Sequence, residues 1–244
     1  MHEAPELWLT RIFNDHLADL GNAALKLVGI QPMARPWATY VVMELFVAAV
    51  IVVLFAVLRP RLSADNPGRL QHTFEVVYEF LHGQDEEQLG EHANHYLAFC
   101  GTLFIFILFM NLIGIIPAFE SPTMFPAVPL GLAAATFFYY HVAGIRENGV
   151  LNYAKHFAGP MLFLAPLMVV IEIISHMARP LSLTIRLYAN MFAGEQVTMI
   201  FLSLTYFAIP VIFMGLHVFV SLLQAYIFML LTMMYLAGAV AHES

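Results

Sequence analysis

Long stretches of this 244-residue chain carry almost no charge. Residues 96–119 and 121–145 contain no Asp, Glu, Lys or Arg, and residues 37–58 contain only Glu44. A helix needs about 20 apolar residues to cross the hydrocarbon core of a bilayer. The apolar stretches therefore predict five membrane-spanning helices, at about 37–58, 96–119, 124–145, 160–209 and 210–241. The last two are longer than one crossing requires.

The composition supports this interpretation, with 61% hydrophobic and 11% charged residues. In soluble domains about 45–50% of the residues are hydrophobic and about 25% are charged. The predicted fold class is an all-α polytopic membrane protein. We divide the chain into an N-terminal surface tail at 1–36 and one membrane domain at 37–244.

Two segments outside the predicted spans have the period of an amphipathic helix. In residues 70–81 the positions Leu70, Phe74, Val77 and Leu81 share one face, whereas the other face is polar. This pattern is typical of a helix that lies on the membrane surface, and we expect it to end at Gly83. The N-terminal tail has a similar apolar face and predicts a second surface helix.

Lys and Arg concentrate in two of the loops, with Arg59, Arg61 and Arg69 in the first and Arg146 and Lys155 in the third. The loop around Glu120 has none. Short loops rich in these residues stay in the cytoplasm. The sequence therefore predicts an N-terminus outside and, after five crossings, a cytoplasmic C-terminus.

Arg186 is the most unusual residue of the fourth span. From residue 160 to residue 241 the charged side chains are Glu172, Arg179, Arg186 and Glu195. An Arg inside a membrane costs at least about 2.5 kcal/mol and cannot lose its proton to reduce that cost. We therefore expect Arg186 to act on another charge. For Arg179 a purely structural role at the interface is an equal alternative.

Polar residues form one stripe along the fourth span, at about 100° per residue. The stripe consists of Glu172, Ser175, Arg179, Ser182, Arg186 and Asn190. The last span has a shorter stripe, which consists of His217, Ser221 and Gln224. Polar stripes within membranes face each other or a water-filled cavity.

Other kinds of site have weaker support. The four histidines of residues 72–95, together with the acids at 85–87 and 91, resemble a metal cluster, but we interpret them as solvation of a surface segment. Ser175 and His176 are neighbours on a helix and point about 100° apart, so they are no nucleophile pair. A Gly-rich phosphate loop is absent. We predict no metal, no cofactor and no nucleic acid.

Three motifs occur in the order expected of a known family. The sequence RLYANMFAGE at 186–195, preceded by RPLSL at 179–183, resembles the signature of subunit a of F-type ATP synthases. LQAYIFMLLT at 223–232 and NLIGIIP at 111–117 resemble two further family motifs. The likeness covers about residues 37–242. The sequence departs from the family in residues 124–129, where many relatives have polar residues.

The resemblance implies a stator subunit beside a rotating ring of c subunits, in which Arg186 meets a carboxylate of the ring. It assigns Asn190, Glu195, His217 and Gln224 to an outer proton path, and the position of Glu172 and Ser175 assigns these two to an inner path. Implied partners are the c-ring, b-type peripheral stalk subunits, the F1 sector and membrane lipid. The chain would not be catalytic alone.

The resemblance also implies a location in a bacterial inner membrane or an equivalent energy-transducing membrane. Two other classes remain open from the residues alone. A free-standing secondary transporter or channel would carry internal repeats and paired broken helices, and the sequence has neither. An intramembrane hydrolase would need a nucleophile motif. The choice between H⁺ and Na⁺ depends on a carboxylate that this chain does not contain.

Overall fold

The computed structural model describes residues 7–27, 29–63, 68–90, 93–116, 119–158, 165–204 and 208–240. Its helices are α1 (Trp8–His16), α2 (Ala18–Leu27), α3 (Thr39–Leu58), α4 (Arg69–Leu89), α5 (Ala93–Ile113), α6 (Ala127–Ala158), α7 (Ala165–Leu204) and α8 (Ala208–Val240). Short 3₁₀ turns at Arg59–Arg61 and Pro122–Met124 follow α3 and precede α6. No strand occurs in these ranges.

Five helices are long and apolar enough to cross a membrane, which confirms the predicted fold class. These segments are Thr39–Arg61, Asn94–Ile113, Ala127–Val150, Pro166–Leu204 and Val211–Val240. The second segment ends at Ile113 instead of residue 119, because the chain turns at Gly114. A Cβ at Gly114 would lie 2.9 Å from Cβ of Ser121, so only glycine permits this close return of the chain.

The expected end of the amphipathic helix at Gly83 is wrong, because α4 continues to Leu89. A glycine inside a helix costs only about 1 kcal/mol. Tertiary packing outweighs that cost, since Leu81 and Asp85 on either side of Gly83 are both buried. The helix ends at Gly90, whose φ of 55° is unfavourable for other residues.

The last two helices are too long to stand upright in a bilayer. At 1.5 Å per residue, α7 with its 40 residues spans about 60 Å. That is about twice the thickness of the hydrocarbon core, so α7 must cross obliquely. It packs between α6 and α8, while α8 also packs on α5. Their shared core contains Leu187, Met191, Met229 and Met233.

A buried polar network fixes the turn between α5 and α6 against α8. The hydroxyl of Ser121 donates to the carbonyl of Met110 (2.9 Å) and lies 2.8 Å from the hydroxyl of Thr123. Thr123 in turn donates to Oδ1 of Asn111 (2.7 Å), whose Nδ2 donates to the carbonyl of Ser221 (3.3 Å). The network holds the polar stripe of α8 at a fixed distance from α5.

Candidate functional site

The polar stripe of α7 lies along the border between its buried and exposed faces. Leu183, Leu187 and Met191 are buried on the side that meets the other helices. Ile185, one residue before Arg186, is 54% exposed on the opposite side. Arg186 itself is half-buried, as are Glu172, Arg179 and Asn190. The guanidinium of Arg186 is therefore near the protein interior and also accessible to a partner.

The stripe of α8 is more deeply buried than that of α7. His217, Ser221 and Gln224 are all below 9% exposure. The Ser221 hydroxyl has no hydrogen-bond partner within the described part of the chain. Polar groups in such a position require water or a partner, so this face of α8 is suited to line a hydrated path.

Glu195 and His217 line one cavity of about 190 Å³ at the far end of α7. Its remaining walls are mostly apolar and include Phe119 and Met214. Oε2 of Glu195 and Nε2 of His217 are buried without a partner among the described residues. The cavity is large enough for several waters, which could satisfy both atoms.

A second cavity of about 220 Å³ begins on the other side of His217. Asn190 lines this cavity, and Asn190 is one helical turn from Arg186. The imidazole between the two cavities also approaches the backbone of Asn111 and Gly194. His217 thus borders both a space that contains Glu195 and a space that contains Asn190.

Glu120 is a titratable residue near this end that the sequence did not assign to the path. Its carboxylate interacts electrostatically with that of Glu195. Burial raises the pKa of Glu120 above its usual value. Glu120 is only three residues after the NLIGIIP motif. An acidic residue so close to an apolar motif was the sequence signal that could have identified Glu120 as a path residue.

A second polar cluster lies at the opposite end of the stripe, around His176. Nε2 of His176 is 3.2 Å from Oε1 of Glu172, one turn earlier on α7. Nδ1 of His176 is 3.0 Å from the hydroxyl of Tyr140 on α6. Tyr140 and His176 are both buried, at 1% and 6% exposure. A chain of titratable side chains therefore connects α7 to α6 at this end.

Arg179 and His141 extend the same cluster. The guanidinium carbon of Arg179 is 5.0 Å from the ring centre of Tyr235 and 5.9 Å from that of Tyr140. Cation–π contacts at this distance stabilise a cation inside a membrane. Nδ1 of His141 is 3.2 Å from the hydroxyl of Tyr153. Arg179 thus contacts aromatic rings of both α6 and α8.

The structure does not bring all predicted residues of this end together. Ser175 is exposed, whereas its neighbour His176 points into the cluster. Sequence reasoning rejected His176 as half of a nucleophile pair and did not consider it as a proton carrier. The signal was available, because His176 is four residues after Glu172 and helix residues at this spacing are neighbours.

The histidines and acids of residues 72–95 do not converge within the described ranges. His82 instead contacts Oδ1 of Asn94 at 3.0 Å and Oε1 of Glu86 at 3.5 Å. Glu91 and His92 fall outside the described residues. Asp85 is fully buried towards Cys100, and His82 acts on its carboxylate electrostatically.

Fold and site together define a class. This is a polytopic helical membrane protein with a half-buried arginine in the middle of its fourth span and ionisable residues at both ends of that helix. Charged side chains inside a membrane are typical of proteins that move ions or other substrates across it.

Comparison with known proteins identifies the family. The family described as "ATP synthase A chain" matches residues 41–237. ATP synthase subunit a of Solibacter usitatus is 69% identical over 95% of this chain and 100% of its own length. Subunit a of Koribacter versatilis is 52% identical over 97% of this chain and 98% of its own length. Subunit a of Sulfurihydrogenibium is 40% identical over 83% of this chain and 97% of its own length. The chain belongs to the family of F-type ATP synthase subunit a.

Proposed function

We propose that this chain is the proton-conducting stator of a rotary ATP synthase, which passes protons to and from a carboxylate on a rotating c-ring. Its relatives are named subunits a of that enzyme. The observation that carries the detailed proposal is the position of His217 between two cavities, one lined by Glu195 and one by Asn190. Such an arrangement suits stepwise transfer of a proton towards Arg186.

The outer path runs from Glu120 and Glu195 through His217 to Asn190. The unpartnered atoms of Glu195 and His217 would receive water in the first cavity. Carboxyl and imidazole groups are the side chains that exchange protons near neutral pH when buried. Gln224 lies two turns further along α8 from His217 and continues the polar face.

Arg186 separates the two paths and acts on the ring carboxylate. At about 4 Å and an effective dielectric constant near 20, an Arg–carboxylate attraction is about 4 kcal/mol. This equals about three pK units, so the carboxylate loses its proton when it passes Arg186. The same fixed charge repels a proton that would cross directly between the paths.

The inner path begins at the cluster of Glu172, His176 and Tyr140. Their contacts of 3.2 and 3.0 Å supply a continuous line of titratable groups. Ser175 is exposed one residue away, on the side that would face the ring. This path would exchange protons with the compartment opposite to that of Glu195.

The exposed faces of α7 and α8 are the surface that we assign to the c-ring. Leu181, Ile185 and Phe192 on α7 and Leu216 and Phe219 on α8 are at least 40% exposed. The three α7 residues lie on either side of the half-buried Arg186 in the chain, so a ring helix that packs here would bring its carboxylate to the guanidinium. ATP chemistry would take place in the F1 sector, held in position by b-type stalk subunits, and this chain would not be catalytic alone.

The decisive test replaces Arg186 in the assembled complex in vesicles. Arg186→Ala should abolish ATP synthesis and ATP-driven pumping, because nothing then removes the proton from the ring carboxylate. Passive proton leak should persist or increase, because the electrostatic barrier is lost. Arg186→Lys retains the charge without the planar fork, so it should reduce leak but support little synthesis. Substantial coupled synthesis in Arg186→Ala would refute the mechanism.

We further propose that the chain lies in a bacterial inner membrane, with its N-terminus outside and its C-terminus in the cytoplasm. Single cysteines in a Cys100→Ala background test this orientation. Ala24 on α2 and Glu87 on α4 are both exposed and suit an impermeant thiol reagent. Ser121 does not, because it is 0% exposed. We expect labelling of the two positions from opposite sides, and labelling from the same side would contradict the orientation.

A further inference from the structure

A long groove separates α3 from α5 at the end of the molecule where α4 lies. The larger part is a cavity of about 660 Å³ between α3, α4 and α5. A second cavity of about 290 Å³ continues along α3 and α5. The two cavities share Phe55, Thr102 and Ile105 in their walls, so they form one groove.

The groove exists because α3 packs on the protein through only one half. Its buried residues are Val42, Met43 and Val47, all near its start. From Ala48 to Leu58 no residue of α3 is buried. This half of α3 therefore leans away from α5 and leaves an apolar cleft within the membrane.

Two contacts hold the cleft open at its α4 end. The side chain of Gln71 accepts a hydrogen bond from the amide of Ser63 (3.0 Å) and donates one to the carbonyl of the same residue (2.9 Å). The rings of Phe55 and Phe74 have their centres 5.2 Å apart, which joins α3 to α4. The groove is thus preformed, which reduces the entropic cost of binding.

Length and charge identify the occupant. From Ala48 to Leu58 the groove follows 11 residues of α3, about 16 Å, which is close to one leaflet of a hydrocarbon core about 30 Å thick. Its walls are mainly apolar, and Arg59 lies at the end near the membrane surface. Arg59 is exposed, and its guanidinium has no hydrogen-bond or ion-pair partner among the described residues. Guanidinium groups bind phosphate well.

We propose that this groove binds a phospholipid, with an acyl chain between α3 and α5 and the phosphate at Arg59. A transmembrane helix of another subunit fits less well. A helix about 10 Å wide would occupy roughly 1,200 Å³ over the same length, which is more than the two cavities of about 660 and 290 Å³ hold together. Glu75 also lines the groove, where its Oε1 accepts a bond of 2.7 Å from Gln71. The proposal does not depend on the proton paths.

Photo-crosslinking in the purified whole complex tests the proposal. The probes are a phosphatidylglycerol with a photoactivatable acyl chain and the matching diacylglycerol, which lacks the phosphate. We expect the phosphatidylglycerol probe to label residues of α3 and α5 that line the groove. Arg59→Gln should reduce this labelling about tenfold, as expected for loss of one charge-assisted hydrogen bond, and leave diacylglycerol labelling unchanged.

Thr102→Phe fills the point where the two cavities meet and should reduce labelling by both probes. Val53→Phe is the matched control, because Val53 is 61% exposed on α3 and does not line the groove. Three outcomes would overturn the proposal: equal labelling by the two probes in the wild-type complex, labelling that Thr102→Phe leaves intact, and cross-links from the groove to another subunit in place of lipid.

Discussion

A Cβ atom on Gly194 would lie 3.3 Å from Nδ1 of His217. The glycine that precedes Glu195 thus provides the space in which the imidazole of α8 lies against α7. This close approach places His217 between the two cavities at this end of the molecule.

Gly194→Ala should therefore displace His217 by a few tenths of an ångström and reduce ATP-driven proton pumping several-fold. An alanine should not weaken α7 itself, since it favours helix by about 1 kcal/mol over glycine. Gly215→Ala on α8 is the control, because its Cβ would meet no atom within 4 Å. If both variants pump like the wild type, the contact does not position the imidazole.

Glu195→Ala and His217→Ala should each slow proton flux without loss of the assembled complex. Each removes one proton carrier of the outer path but keeps the charge of Arg186. His217→Glu should recover part of the flux, because a carboxylate can also exchange protons there. The measurement is ATP-driven acidification of vesicles, with co-purification of the other subunits as the check on assembly. Wild-type pumping in both alanine variants would favour packing roles.

Tyr140→Phe and His176→Ala test the inner path. Tyr140→Phe keeps the ring near Arg179 but removes the hydroxyl, so we expect slower pumping with the complex intact. If the two side chains act in one line, the double variant should be no slower than the slower single variant. Met177→Leu changes an exposed residue of the same turn of α7 that belongs to neither path, and it serves as the control. Pumping that falls equally in the control would show a general disturbance of α7.

The stability of the α4 packing should depend on pH through Asp85. Burial raises the pKa of Asp85 from 3.8 to about 6, although nearby His82 opposes this effect. At pH values between these two pKa values, the folded state binds more protons than the unfolded state. Stability should therefore fall as pH rises from about 4 to about 6, by about 3 kcal/mol at most.

Asp85→Asn removes this titration while it preserves the size of the side chain. The variant should melt at a higher temperature than the wild type at pH 7.5, and the difference should narrow at pH 5, where the wild-type carboxyl is mostly protonated. Glu87→Gln, on the exposed face of the same helix, should show no such pH-dependent difference. A constant difference between Asp85→Asn and the wild type at both pH values would contradict the assignment. The measurement is thermal unfolding of the detergent-solubilised complex.

The sequence by itself determined the membrane fold and the family. Runs of apolar residues can be satisfied only by spanning helices, because a bilayer offers no partners for backbone polar groups. The number of spans and the α7 and α8 stripes follow from that constraint and from helical periodicity. The motifs around Arg186 and Gln224 indicated the family, which the 69% identical relative confirms.

Tertiary structure decided which polar residues meet. Glu120 and Glu195 are 75 positions apart in the chain, and their proximity depends on how the turn after α5 packs beside α7. Tyr140 contacts His176, because His176 lies on the buried face of α7 that packs against α6, whereas Ser175 is exposed. Tertiary packing also allows α4 to continue beyond Gly83. It leaves the second half of α3 separated from α5. Periodicity defines the faces of one helix, but contacts between helices depend on side-chain packing over long sequence distances, which no local pattern encodes.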